Sequence, residues 1–189
     1  VSGVITIGGL IATNYWGTVS SNSYASGNVN GSDYVGGLVG YNYYSLISNS
    51  HATGIVNGIN YYTGGLVGYN ADNGSVSNSY ATGTISGNNE NGGLVGYNNG
   101  SVSNSYAIGN VSGVNWNGGL IGYNWQNGSV SNCYANGNVS GTSNLGGLIG
   151  YNNSGSVYNS FYDQETSGQS DTGKGEPKTT AEMKAFATF

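Results

Sequence analysis

Short runs of alternating apolar and polar residues, each bounded by Gly, Asn or Ser, fill the chain and return on a fixed period. One run reads Gly36-Gly37-Leu38-Val39-Gly40-Tyr41-Asn42, and it recurs at 64–70, 92–98, 118–124 (Ile121 for Val) and 146–152 (Ile149 for Val). A degenerate copy, Gly8-Gly9-Leu10-Ile11-Ala12-Thr13-Asn14, precedes them. The leucines at 10, 38, 66, 94, 120 and 148 are separated by 28, 28, 28, 26 and 28 residues. A second run, Ser75-Val76-Ser77-Asn78-Ser79-Tyr80-Ala81, returns at 101–107 and 129–135, with earlier variants at 46–52 and 22–25. A third, shorter run centres on Val29, Val56, Ile85, Val111 and Val139 and is flanked by glycines.

These runs are too short and too rich in Gly and Asn for helices, and they carry no 3.6-residue apolar stripe. They read as strands: Val, Ile, Tyr and Asn alternate with Ser between turn residues. A unit of this length cannot bury its apolar face alone, whereas stacked units roof one another and pair strand on strand. The expectation is an all-β, single-stranded parallel β-solenoid of about six coils of ~28 residues, covering residues 1–162.

Stacking places equivalent residues in columns. Leu10, Leu38, Leu66, Leu94, Leu120 and Leu148 form the expected core ladder. Val29, Val56, Ile85, Val111 and Val139 form a second inward column, and Ile47, Val76, Val102, Val130 and Val157 a third. Asn78, Asn104 and Asn132 share the parity of that third column, so stacked amides are expected there. In the first run, strict alternation puts Leu38 and Val39 on opposite faces, which leaves one apolar column off the core. Tyr41, Tyr69, Tyr97, Tyr123 and Tyr151 are therefore the candidate interaction ladder. The alternative is that the variable loops, with Tyr43, Tyr44, Tyr61, Tyr62 and Trp125, fold over it. The Asn-Gly pairs at 73–74, 99–100 and 127–128 suit positive φ.

The period stops after Phe161-Tyr162. Residues 163–189 are expected to form a cap or linker with a short helix. Thr179-Thr180-Ala181-Glu182 resembles a capping box, and Met183 to Phe186 continue it. A cap there would cover the last open rung, while the upper rung edge has no such cover and invites pairing with another chain.

Composition narrows the function. Of 189 residues 36 are Gly and one is Pro, without the triplet period of collagen. The 17 tyrosines argue against disorder. The net charge is −5, and the basic residues are Lys174, Lys178 and Lys184, so residues 1–162 have no cation to offer a phosphate backbone or an anionic membrane. Nucleic acid is excluded as a partner, and no apolar run is long enough for a membrane span. The chain opens in mid-repeat, which implies a piece of a longer precursor.

Catalysis is not expected. Asp33, Asp72 and Glu90 fall in different coils, and Asp163 and Glu165 read as solvated charge near the cap. His51 stands where other copies have Tyr24, Tyr80, Tyr106 and Tyr134, and Cys133 stands where they have Ser23, Ser50, Ser79 and Ser105. Both read as ladder substitutions. No metal, cofactor or catalytic residue is assigned.

Gly-Gly-Leu-Val-Gly-Tyr-Asn followed by Ser-Val-Ser-Asn-Ser-Tyr-Ala-Thr-Gly resembles the GLUG-motif repeats of large bacterial and archaeal surface and secreted proteins. The resemblance covers residues ~8–162, and the tail at 161–168 and 178–184 looks like the segment that closes such arrays. It implies an extracellular, adhesin-like or fibrous setting. The expected function is a non-catalytic structural repeat protein at the cell surface: a fibre, sheath or stalk subunit, or the shaft of an adhesin. Its expected partners are its own kind, as filaments or as neighbouring repeats of a longer chain. The alternative is a carbohydrate- or surface-binding module that meets glycans through Tyr and Trp ladders.

Overall fold

The computed structural model describes residues 1–19 and 22–185. The chain winds as a parallel β-solenoid whose strands line up in four sheets of nine, six, six and seven strands. Sheet 1 starts with Ile5–Gly8, Val29–Gly36 and Val56–Gly64. Sheet 2 holds Ile11–Tyr15, Val39–Tyr43, Val67–Ala71, Val95–Asn98, Ile121–Asn124 and Ile149–Asn152. Sheet 3 runs from Thr18–Val19 to Ser156–Tyr158, and sheet 4 from Tyr24–Ala25 to Phe161–Asp163. Each strand pairs in parallel with its equivalents one coil away, as in Val67↔Val95 and Tyr69↔Tyr97. Sheets 2 and 3 count six rungs each, as the period predicts.

The segment before each Gly-Gly is also a strand, for example Asn89–Gly92 and Asn115–Gly118, where sequence reading expected a variable loop. That strand backs directly onto sheet 2, main chain against main chain. A Cβ at Gly96 would lie 2.6 Å from Gly68 O and 2.7 Å from Thr63 N. Glycine is needed there for close approach, not for an unusual φ.

The apolar columns form two cores. The larger contains Leu38, Leu66, Leu94, Leu120 and Leu148 with Ile47, Val76, Val102 and Val130, and Val157 packs partly buried at its lower end. The smaller contains Ile7, Val35 and the column Val29, Val56, Ile85 and Val111.

Four expectations are corrected. Leu10 keeps the register of its column, donating from its amide to Leu38 O at 3.0 Å, but is 51% exposed because no rung of the described residues lies above it. No apolar column is left off the core by the first run, since Leu38 and Val39 are both fully buried. The amides of Leu38 and Val39 both point to Leu66 O, at 2.9 and 3.0 Å, so alternation is suspended at the corner and neighbouring side chains face the same way. Asn78, Asn104 and Asn132 lie outside rather than inside. Their φ values of 48°, 48° and 52° bend the chain by a left-handed step, which hands the inward place to Ser79, Ser105 and Cys133. Of the three Asn-Gly pairs only Asn73 has positive φ, at 57°.

The tail closes the lower end. Asp163 caps a short helix, Gln164–Ser167, and Glu176–Lys178 adds a seventh strand to sheet 4. The capping box is present at Thr180–Ala185: Thr179 N donates to Glu182 Oε2 at 2.8 Å, and Glu182 N to Thr179 Oγ1 at 3.2 Å. Phe186 lies outside the described residues.

Candidate interaction surfaces

Tyr41, Tyr69, Tyr97, Tyr123 and Tyr151 stand in one column on sheet 2, half-buried down to Tyr123, with Tyr151 40% exposed at the end. Successive ring centroids are 5.2, 4.5, 5.2 and 5.1 Å apart, and the rings are nearly parallel until the last pair, which tilts to 45°. Offset stacking of this kind engages the ring faces within the ladder. A second column, Tyr34, Tyr62 and Trp116, meets it edge-on: Tyr62 lies at 90° to Tyr69 and 86° to Tyr97, and Trp116 at 82° to Tyr123. Trp125 also leans on Tyr123 at 5.7 Å. Burial, reinforced at Tyr62 by the Glu90 carboxylate and at all three by neighbouring phenols, pushes Tyr62 and Tyr97 up to about 12 and Tyr69 higher still. Along Tyr69 and Tyr97 the ladder is thus roofed by its own molecule.

Glu90 holds the place between Tyr62 and Trp116 in that second column. It is 6% exposed, its Oε2 has no hydrogen-bond partner, and burial pushes its carboxyl up to about 7. The other repeat carboxylates sit elsewhere: Asp33 accepts from Asn60 at 3.3 Å and Asp72 from Asn99 at 3.0 Å.

A third aromatic column crosses sheet 4. Tyr24, His51, Tyr80, Tyr106 and Tyr134 stack at 5.4, 4.8, 5.0 and 4.9 Å, all within 9° of parallel. His51 is a ring in this stack, as its equivalence to Tyr implies. Beside the column runs a groove of about 530 Å³ with Ser79, Ser105 and Cys133 among its lining residues. Its sides are the aromatic rings and the outward Asn78, Asn104, Asn132 and Asn159, and no charged side chain lines it. Cys133 Sγ donates to Ser131 O at 3.1 Å in the manner of its serine equivalents. Burial pushes its thiol up to about 12.

The feature that sequence reasoning missed is polar and internal. The Asn that ends each first run points into the large core, and the carboxamides form one chain of hydrogen bonds. Asn14 donates to Asn42, Asn42 to Asn70, Asn70 to Asn98, Asn98 to Asn124 and Asn124 to Asn152, each at 2.8–2.9 Å. Every donation runs towards the C-terminal end. The turn glycines fit against this ladder: a Cβ at Gly128 would be 2.1 Å from Asn124 Oδ1. The available signal was the Asn itself, which persists even in the degenerate copy at Asn14.

Among the described residues no group of three or more His, Cys, Asp or Glu side chains is gathered to hold a metal ion, and no helix is long and apolar enough to cross a membrane.

Fold and surfaces together define a parallel β-solenoid repeat protein. The model of the GLUG motif matches residues 31–57, 59–86 and 118–140, so the chain carries GLUG-motif repeats at those three places. It is similar to a Gly-rich membrane protein of Evansella cellulosilytica, with 65% identity over 37 residues. That match covers 20% of this chain and 4% of the relative's length. No solved structure matches the chain.

Proposed function

We propose that the chain is a non-catalytic structural segment of an extracellular, surface-attached protein, the end portion of a solenoid shaft. The observation that carries this reading is the Asn ladder, which runs from Asn14 to Asn152 without a missing bond and commits the repeat's most regular polar group to holding rungs together. Similarity to a short stretch of a much longer membrane protein fits a segment that spaces other parts away from a cell. A shaft is favoured over a freely growing fibre subunit because residues 163–185 cover the lower rung. The test is immunogold labelling of intact source cells with antibody to this chain. Label on the outer surface is expected, and label confined to the cytosol overturns the reading.

A second reading, binding of a carbohydrate or other surface, draws support from the uncharged groove beside Tyr80, Tyr106 and Tyr134 rather than from the Tyr41 ladder. A glycan array decides it: reproducible binding that is lost in Tyr106→Ala supports the module, and a blank array removes it.

A further inference from the structure

The groove on sheet 4 repeats once per rung along both of its walls. One wall is the ring column, in which Tyr80, Tyr106 and Tyr134 stack at 5.0 and 4.9 Å and within 5° of parallel. The other is the carboxamide column of Asn78, Asn104 and Asn132, turned outward by φ values of 48°, 48° and 52°. Asn159 and Phe161 add a fourth rung at the lower end. Three steps at ~4.7–4.9 Å make a track about 14 Å long that follows the solenoid axis. It ends where Glu176–Lys178 pairs against the Phe161 rung and Lys178 Nζ stands 5.4 Å from the Phe161 ring.

The groups along the track select what can lie in it. Its floor is already satisfied: Ser79 and Ser105 hydroxyls donate to Ser77 O and Ser103 O at 2.7 Å, and Cys133 Sγ to Ser131 O at 3.1 Å. The main chain of each rung is paired with the rungs above and below, so no edge is left to hold a peptide strand laid along the axis. The tyrosine faces are spent on one another, which leaves ring edges, the positive rim of the quadrupole, to meet oxygen atoms. Each Asn carboxamide both donates and accepts. With no charged side chain along the walls, a charged occupant would lose water without gaining a counter-charge. The track therefore suits a neutral, oxygen-rich polymer whose units recur at the rung spacing. An extended β-linked glycan advances by about one rung per sugar and turns successive sugars over. A carboxamide at every rung meets either orientation, because it can serve as donor or acceptor.

We propose that this track holds a neutral, extended β-linked polysaccharide parallel to the solenoid axis, one sugar unit to each rung from Asn78 to Asn159. The proposal rests on the second reading above and narrows it to one class of glycan and one direction of binding. The experiment is calorimetric titration of the chain with cello-oligosaccharides and chito-oligosaccharides, from disaccharide to hexasaccharide. Maltohexaose, which coils, and oligogalacturonate, which is charged, are the comparisons. Affinity for one β-linked series is expected to rise several-fold with each added sugar up to the tetrasaccharide and then level off, with both comparisons far weaker. Asn104→Gly keeps the left-handed step and removes one carboxamide from the middle of the track. It is expected to bring the tetrasaccharide down to the affinity of the disaccharide, with the circular dichroism unchanged. The chain-length series on the wild type decides the matter even where that variant does not fold. A disaccharide that binds as tightly as the hexasaccharide overturns the proposal, as does preference for a coiled or charged glycan, wild-type affinity in folded Asn104→Gly, or no binding of either β-linked series. Array binding that is lost in Tyr106→Ala yet indifferent to chain length keeps the broader reading and overturns this one; a blank array removes both.

Discussion

Asn98 donates its side-chain amide to Asn124 Oδ1 across 2.8 Å, although 26 residues of chain separate the two. Both are fully buried, so the bond is made where water cannot replace it. In Asn98→Ala, Asn124 Oδ1 loses that donor and Gly100 N loses its 3.3 Å bond to Asn98 Oδ1. At ~1–3 kcal/mol for each of these two buried groups left unpaired, a loss of about 2–6 kcal/mol in urea unfolding is expected. Asn104→Ala, at an exposed left-handed position, should cost only the ~1–2 kcal/mol of placing a Cβ at positive φ. Equal losses would mean that the ladder contributes nothing beyond backbone geometry.

Glycines divide into those that meet backbone and those that meet nothing. Gly96→Ala puts a Cβ against the main chain of Gly68, Tyr62 and Thr63, all within 2.7 Å, and cannot be relieved by a rotamer change. Gly27→Ala has open space within 4 Å. Thermal melts should show a drop of many degrees, or no folded protein, for the first and little change for the second.

Glu90 predicts a pH dependence of known sign. Burial raises its carboxyl from 4.5 to about 7 in the fold, where Tyr62 and Trp116 flank it in the column and Tyr62, Tyr97 and Tyr123 feel its charge. The folded state therefore holds this proton more tightly than the unfolded chain. The stabilisation is fully present below pH ~4.5 and is lost as pH rises through about 7. At Asp163 burial opposes ionisation, but bonds from Thr180, Thr166 and the Glu165 amide outweigh it and hold the carboxyl below its ordinary value, so its contribution is lost on acidification. Comparing wild type with Glu90→Gln isolates the first effect. The urea midpoint of Glu90→Gln should exceed that of wild type at pH 8 and converge with it near pH 5. Parallel profiles would contradict a buried, unpaired carboxyl.

Cys133 should behave as a serine of its ladder. Its thiol is buried and pushed up to about 12, so the thiolate that reacts with disulfide reagents is scarce at neutral pH. Native protein should be unreactive to Ellman's reagent for as long as it stays folded, and become reactive in denaturant. Cys133→Ser should fold with stability close to wild type. Rapid native labelling would refute the placement.

The repeat period was enough to expect the solenoid, its rung number and the Leu and Val columns, because each column residue recurs at one place in the period. What alternation could not supply was the corners. Leu38 and Val39 face the same way because two consecutive amides share Leu66 O, and Asn78 faces out because of a left-handed step. Both are local backbone departures that leave no mark in a polar–apolar pattern. The Asn42 column stayed unread for a different reason: a polar residue beside Tyr41 looks like surface until a neighbour of the same kind is seen to satisfy it. The contacts by which Asp171 accepts from Gly147 N and Lys174 donates to the carbonyls of Leu145 and Gly150 were beyond pattern altogether, since they occur once and replace main-chain groups with side chains.

The central claim is that equivalent residues of successive coils lie over one another in parallel register. Nitroxide labels at Asn28→Cys and Asn138→Cys, in a Cys133→Ser background, test it most directly. Both sites are exposed, and the residues that follow them are linked by the pairings Val29↔Val56, Val56↔Ile85, Ile85↔Val111 and Val111↔Val139. Four steps at ~4.7–4.9 Å put the two backbone sites about 19 Å apart, so pulsed electron–electron resonance should give one narrow distribution near that value. A broad distribution, or a mean beyond ~30 Å, would contradict a stack built at that spacing.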